Sequence, residues 1–417
     1  MRVLITGATG LVGNALGQRL VREGHEVVAL ARTGDKARPC LSFPSRIYQW
    51  SGSEAVPAAA LDNVDAIVHL AGENVAAQRW TADRKKRLIR SRVDTAAGLS
   101  EAGALADLCG KWEAAADRVP AERTVKLRFG IVLSGGGGFL DQVVPLFQRL
   151  GASRLGDGSQ WFSWIHIDDL TALLMRALTD PSMGGAYNAV APWPVTNAEQ
   201  TAELAKAIQA YLVPPVPSLA LRLAYGELAT ALLSSQRVRS ERLDGFKFRY
   251  LHFEDALKDL FPAWEVGELQ IKREQWVPAG TDQIWEFFSS EKNLERITPP
   301  FLGFHVRAMN TEKIKEGTEI DYTLNLHGLP IAWRSKISEW KEKTHFADTQ
   351  LQGPYKKWFH RHDFEPLAGG VLLKDHVRFV FPPGLAGRLV AGGKVSGDVK
   401  KIFDYRAKII DGIFCPR

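Results

Sequence analysis

A run of spaced glycines limits what the start of this chain can become. Met1-Arg-Val-Leu-Ile-Thr6 is an apolar strand that passes straight into Gly7-Ala-Thr-Gly10-Leu-Val-Gly13. Hydrophobic spacing then predicts an amphipathic helix over 14–23 and a second strand over 26–31. Glycines placed this way let the backbone turn tightly and approach a ligand closely. They also aim the free N–H groups of a helix start at a pyrophosphate. The candidate contacts are Gly7, Thr9, Gly10, Leu11, Val12 and Gly13. A glycine turn of purely structural purpose is the bland alternative, but the strand–turn–helix–strand context is what a dinucleotide fingerprint requires.

The length, 417 residues, suits two or three domains of about 100–200 residues each. With 45% hydrophobic and 24% charged residues, a sizeable core can form. The net charge of +6 is modest and scattered; its densest stretch, Arg84 to Arg92, reads as one solvated helix face, so no nucleic-acid partner is expected. Cys40, Cys109 and Cys415 lie far apart, which supports neither a disulfide framework nor a zinc site. No apolar run approaches membrane-spanning length, and the first strand leaves no room for a signal peptide. A cytoplasmic protein is expected.

Strand and helix alternate at first. Ala66-Ile-Val-His-Leu-Ala71 reads as a buried parallel strand ending at Gly72, and a further strand is predicted over 124–133 after a helix through 105–116. Gly135-Gly-Gly-Gly138 reads as a flexible loop before a helix over 139–149, and 219–233 as one apolar helix. Beyond Pro262 the period becomes two. Ile320, Tyr322, Leu324 and Leu326 share one face, as do Trp358, His360, His362 and Phe364, and again Val377, Phe379 and Phe381. These are antiparallel strands with one buried face. Two short helices, over 282–289 and 294–297, precede them, and a long helix over 385–410 follows.

Residues 1–261 resemble the extended short-chain dehydrogenase/reductase superfamily, and within it the sugar-nucleotide-epimerase-like oxidoreductases. The glycine turn, His69-Leu-Ala-Gly-Glu73 with Arg79-Trp80, Ser91-Arg92, and Trp112-Glu113 carry the likeness. So do Arg128 to Leu133, Gly156 to His166, Asn188 to Pro192, and the stretch from Gln236 to Leu257. Residues 266–413 resemble START-like (SRPBCC) helix-grip domains through Glu295-Arg-Ile-Thr-Pro-Pro300 and the strand Trp358–Phe364. The expected architecture is an α/β Rossmann-like doubly wound parallel sheet over 1–212, a small closing module over 213–263, and an α+β helix-grip domain over 266–413. The resemblance implies an NAD(P)-binding oxidoreductase or epimerase fused to a domain for an apolar ligand; the rival is a non-enzymatic cofactor scaffold or hydrophobic-ligand carrier.

One departure from the family stands out. Relatives carry a strand–helix unit with a catalytic tyrosine between the Ser91-Arg92 helix and the Trp112 helix. Such a unit needs about 30 residues, and here Thr95 runs almost directly into Gly103. The 124–133 strand is therefore expected to pair with 66–71, since unpaired interior backbone groups are costly.

The remaining chemistry follows residue by residue. NAD binders place an acid at the end of the second strand, whereas this chain has Arg32-Thr33 there; a guanidinium suits a 2′-phosphate, so NADP is favoured over NAD. Leu70-Ala71-Gly72 is expected to pass under the adenosine and nicotinamide ribose, its small residues allowing close approach, though a plain strand–turn junction would use the same glycine. Without the tyrosine, the catalytic candidates are Glu73, His166 or water. A surface salt bridge explains Glu73 equally well. Around His166, helix capping by Asp168 or Asp169 is the preferred reading. His360 and His362 share a strand face as two metal ligands would, but no third ligand stands at a recognisable spacing. No metal is expected, and a cavity-lining stripe is preferred. Trp276, Trp285, Trp333 and Trp340 add apolar surface around a ligand pocket.

Overall fold

The computed structural model describes residues 1–52, 54–72, 112–226, 228–262, 265–326, 329–381 and 385–415. Contacts divide the chain into two units, Met1–Ala37 with Ser45–Trp264, and Arg38–Pro44 with Glu265–Arg417. The segment Arg38–Pro44 thus packs with the second unit: the carbonyl of Leu41 accepts a hydrogen bond from the backbone N–H of Trp276 at 3.1 Å.

In the first unit, β1 (Arg2–Thr6) is buried on both faces, with Val3, Leu4 and Ile5 at most 1% exposed. Such a strand shows a continuous apolar run instead of alternation. Helix α1 (Leu11–Arg22) buries Gly13, Leu16, Gly17 and Leu20, the spacing of one helical face. It begins three residues earlier than the periodicity predicts because Asn14 already donates to the Gly10 carbonyl at 2.8 Å. β2 (Glu26–Ala31), β3 (Arg46–Gln49) and β4 (Ala66–His69) complete a parallel sheet of order β3-β2-β1-β4. The order reverses at β1, so a switch point lies between β1 and β4.

The 124–133 stretch is two strands, β5 (Val125–Phe129) and β6 (Ile131–Leu133). The break falls at Gly130, whose N–H donates to Ala189 while Ile131 turns to Ser163. A Cβ at Gly130 would stand 2.9 Å from the Ser163 carbonyl. Downstream come α2 (Phe139–Leu150), β7 (Trp161–Phe162), β8 (Trp164–His166), α3 (Ile167–Thr179), β9 (Gly185–Ala189), β10 (Val195–Thr196), α4 (Asn197–Ala207) and α5 (Phe253–Leu260). β5 pairs with β9 and β6 with β8, both parallel. The 219–233 region is also two helices, Ser218–Tyr225 and Leu228–Leu233, divided at Gly226, which adopts φ +60°.

The expected β4–β5 pairing is not formed: among the described residues β4 pairs with β1 and β5 with β9. Side chains from 112–116 span the place instead. Trp112 sits edge-on to His69 of β4 at 6.0 Å. Glu113 takes a two-pronged hydrogen bond from Arg128 of β5 at 2.7 and 2.8 Å. From its other side β5 is held by Arg123, which donates to the carbonyls of Ala177, Leu178 and Met183. Moving β5 against β4 would break these contacts.

The second unit is a seven-stranded antiparallel sheet. β11 (Glu268–Val277) leads through α6 (Thr281–Phe288) and α7 (Glu291–Arg296) to β12 (His305–Met309) at the opposite edge. The chain then returns strand by strand through β13 (Glu319–Leu326), β14 (Leu329–Lys341), β15 (His345–Gln352), β16 (Lys357–Leu367) and β17 (Gly370–Val380), which closes on β11. Helix α8 (Leu385–Phe414) covers the sheet. Its Val399 and Phe403 pack with Leu269, Val377 and Phe379, and its Ile410 and Phe414 with Ile284, Trp285 and Phe364. Each fully buried side chain of this size contributes about 1.5–3 kcal/mol. Among the described residues no helix is long and apolar enough to cross a membrane.

Candidate functional site

The glycine turn is made by removing side chains. Gly7 adopts φ +73°, and a Cβ there would stand 2.9 Å from the backbone of Leu70 and Ala71. A Cβ at Gly13 would meet the Gly7 carbonyl at 2.3 Å, and one at Gly10 would meet it at 3.2 Å. Gly10 caps α1 with no side-chain hydrogen bond, and the helix carries no acid in its first turn, which leaves its N–H groups suited to an anion.

Three strand ends meet at this edge. The parallel register sets Leu30 and His69 beside Thr6. Arg32 and Thr33, just past β2, therefore lie exposed at the same end of the sheet as Gly7–Gly13. Thr6, not singled out by the sequence pattern, is the joint. Its Oγ1 accepts from the N–H of Leu70 and of Ala71, each at 3.2 Å, and lies 2.7 Å from His69 Nδ1. This draws Leu70 and Ala71 under Gly7. The Gly135–Gly138 loop also arrives here, with Gly137 and Gly138 close against the Leu11 side chain. Spacing alone could not place that loop, since its first glycine, Gly135, is far along the chain from Leu11. Glu73 falls outside the described residues, as does the 92–111 stretch where the tyrosine unit of the family was expected to be missing.

His166 belongs elsewhere. It is buried at the start of α3 and is itself the cap: its Nδ1 accepts from the Asp168 N–H at 3.2 Å. Neither Asp168 nor Asp169 caps the helix. Asp169 instead accepts from the N–H groups of Arg249 and Tyr250 at 2.7 and 3.0 Å, and Asp168 pairs with Arg249. The Tyr250 ring lies 3.9 Å from the imidazole. Burial lowers the His166 pKa against the pull of Asp168 and Asp259. These contacts tie α3 to the 249–259 segment.

The second unit encloses a cavity of about 530 Å³, lined by apolar groups such as Leu294, Ile320, Leu324, Trp333, Trp358 and Phe403. Its polar end is a cluster on three neighbouring strands. Register sets Asp348 of β15 opposite His360 of β16, and His362 opposite Asp375 of β17. Asp375 Oδ1 lies 2.7 Å from His362 Nδ1 and 3.1 Å from His360 Nε2. Asp348 Oδ1 lies 3.7 Å from His360 Nδ1. Arg406 of α8 approaches Asp375 at 3.8 Å. Burial would raise the Asp375 pKa, yet Arg406 and the histidines hold it well below the carboxylate range. Burial raises Asp348, and it lowers His362 to about 3. Trp333 Nε1 and Arg406 Nε, both on cavity-lining residues, are buried without a hydrogen-bond partner among the described residues. Trp358, His360 and His362 line the cavity, whereas Phe364 is core.

Comparison with known proteins concerns the first unit. The model of the NAD dependent epimerase/dehydratase family matches residues 3–109, and that of a domain of unknown function, DUF1731, matches residues 216–260. The chain is 33% identical over 303 residues to the chloroplastic epimerase family protein SDR39U1 homolog of Arabidopsis thaliana, covering 62% of this chain and 86% of that one. It is 33% identical over 305 residues to the epimerase family protein SDR39U1 of Homo sapiens, covering 62% and 99%. The crystal structure of that human protein (isoform 2) with NADPH matches with a TM-score of 0.55 at 30% identity, over 63% of this chain and all of the other.

Proposed function

This chain belongs to the epimerase family of the SDR39U1 proteins, and we propose that its first unit binds NADP at the β1–α1 turn. The observation that carries this reading is the cradle at Gly7 and Gly13, where backbone stands too close for a side chain, with Gly10 tightly packed between them. A pyrophosphate there meets the start of α1, and Leu70-Ala71-Gly72 runs beneath the nucleoside. Arg32 supplies the charge for a 2′-phosphate. The human relative, solved with NADPH, supports the choice of NADP.

The family chemistry is hydride transfer at a carbon bearing oxygen, which needs a proton donor beside the nicotinamide. The alignment with the Arabidopsis relative runs over 303 residues, more than the 62% of this chain that it occupies. This agrees with a missing segment, and losing a positioned acid costs about 10²–10⁴ in rate. That observation favours a second reading, a cofactor-binding scaffold with little turnover. In either case the second unit, a START-like helix-grip domain in this proposal, holds an apolar ligand in its cavity. The small closing module over 213–263, which includes the DUF1731 match, completes the first unit.

Titration of the full chain with NADPH, followed by tryptophan fluorescence, tests the first claim. Saturable quenching at micromolar cofactor, tighter than with NADH, is expected; a flat response to millimolar NADPH overturns it. NADPH consumption across a carbonyl series separates the two readings, since robust turnover removes the scaffold.

A further inference from the structure

We propose that Asp348, His360 and His362 form a binding site for a divalent transition-metal ion of the zinc type at the polar end of the second unit's cavity. The three residues present ligand atoms within 4.8 Å of one another. A zinc shell with bonds of 2.0–2.2 Å sets its ligand atoms about 3.3 Å apart, so modest side-chain rotation closes the set. Two imidazoles and one carboxylate leave at least one coordination position open, as catalytic zinc sites do.

The arrangement behind the ligands is the stronger argument. Asp375 faces the far nitrogen of both rings, Nε2 of His360 and Nδ1 of His362. As an acceptor, it holds a proton on each of those nitrogens. The lone pairs are then left on His360 Nδ1, which faces Asp348, and on His362 Nε2. A carboxylate that orients a histidine by its remote N–H is the usual support of a metal-bound imidazole. Here one buried carboxylate serves two.

Charge identifies what fills the open position. The carboxylates of Asp348 and Asp375 face the Arg406 guanidinium, so a dication leaves one net positive charge in an apolar pocket. An anionic oxygen on an apolar body, such as a medium-chain carboxylate, neutralises it. The unpartnered Nε of Arg406 is a further donor for that anion. This inference rests on the reading of the second unit as a ligand cavity, and it is independent of NADP.

The test uses the full chain stripped with EDTA and titrated with Co²⁺, read by its visible ligand-field absorption, and with Zn²⁺, read by metal analysis after desalting. One ion per chain is expected. The isosteric changes His360→Gln and Asp348→Asn should each weaken binding at least tenfold. Asp375→Asn should weaken it about 10- to 100-fold by releasing the ring orientation. His305→Gln, a histidine on β12 outside the cluster, should retain the ion. Octanoate should alter the Co²⁺ spectrum. A wild-type chain that retains no ion overturns the site even if a variant fails to fold, as does binding unchanged in the folded His360→Gln protein. A Co²⁺ spectrum indifferent to saturating octanoate overturns the anionic ligand. NADPH titration of the same samples reports separately on the first unit.

Discussion

The two candidate sites are built in opposite ways. The glycine turn is local: seven successive residues and one returning strand end form a surface of bare backbone. The cavity cluster gathers side chains from β15, β16, β17 and α8, and sets ionisable groups where burial penalises charge. One site depends on what has been left out of the sequence, the other on what register brings together. Backbone recognition therefore tolerates drift in its surroundings, whereas the cluster depends on the packing of the whole sheet.

That contrast can be broken by mutation. The largest effect is expected at Trp285, which is buried and lies edge-on to Trp340, Phe346 and Phe364 at 4.8 to 6.0 Å. Trp285→Ala should cost the second unit about 3–5 kcal/mol in denaturant unfolding. NADPH binding should persist, and its loss would show that the sites are not separately supported. Gly13→Ala should weaken NADPH at least about a hundredfold, or 2.7 kcal/mol, because its methyl would overlap the Gly7 carbonyl. Unchanged affinity in a fluorescence titration would remove the turn as the binding element.

Acid offers a third comparison. His376 of β17 has its pKa lowered to about 3, first by burial and then by Lys272 and Arg378. The unfolded chain protonates this group near its ordinary value of about 6.5, while the folded chain does not until about 3. The unfolded state thus binds more protons in that window. Stability of the second unit should fall as pH drops from 6.5 toward 3, by up to about 1.4 kcal/mol per pH unit from this group. Urea midpoints measured across that range should show a shallower slope in His376→Gln; an identical slope would assign the acid sensitivity elsewhere. The smallest effect is expected at exposed Arg32. Arg32→Ala should reduce the preference for NADPH over NADH about tenfold, or 1.4 kcal/mol, with thermal unfolding unchanged. Equal losses for both cofactors would remove it as the 2′-phosphate contact.

Much of this molecule was legible before its structure. Gly7, Gly10 and Gly13 announced their turn because glycine acts over a few peptide units, through φ and the absent Cβ. Period-two alternation announced the strands of the second unit, since a pleat repeats every two residues. What pattern alone missed was non-local. Thr6 locks β4 beneath the turn, and the Gly135–Gly138 loop comes to rest on Leu11. Helix 112–116 spans β4 and β5 where direct pairing was expected, and Asp169, read as a helix cap, accepts instead from the distant Arg249 and Tyr250 N–H groups. The third and fourth members of the histidine cluster came from adjacent strands. Sequence determines which backbone shapes and faces are available, because those depend on neighbours along the chain. Which faces meet is decided by strand register and packing, and only the folded chain carries out that choice.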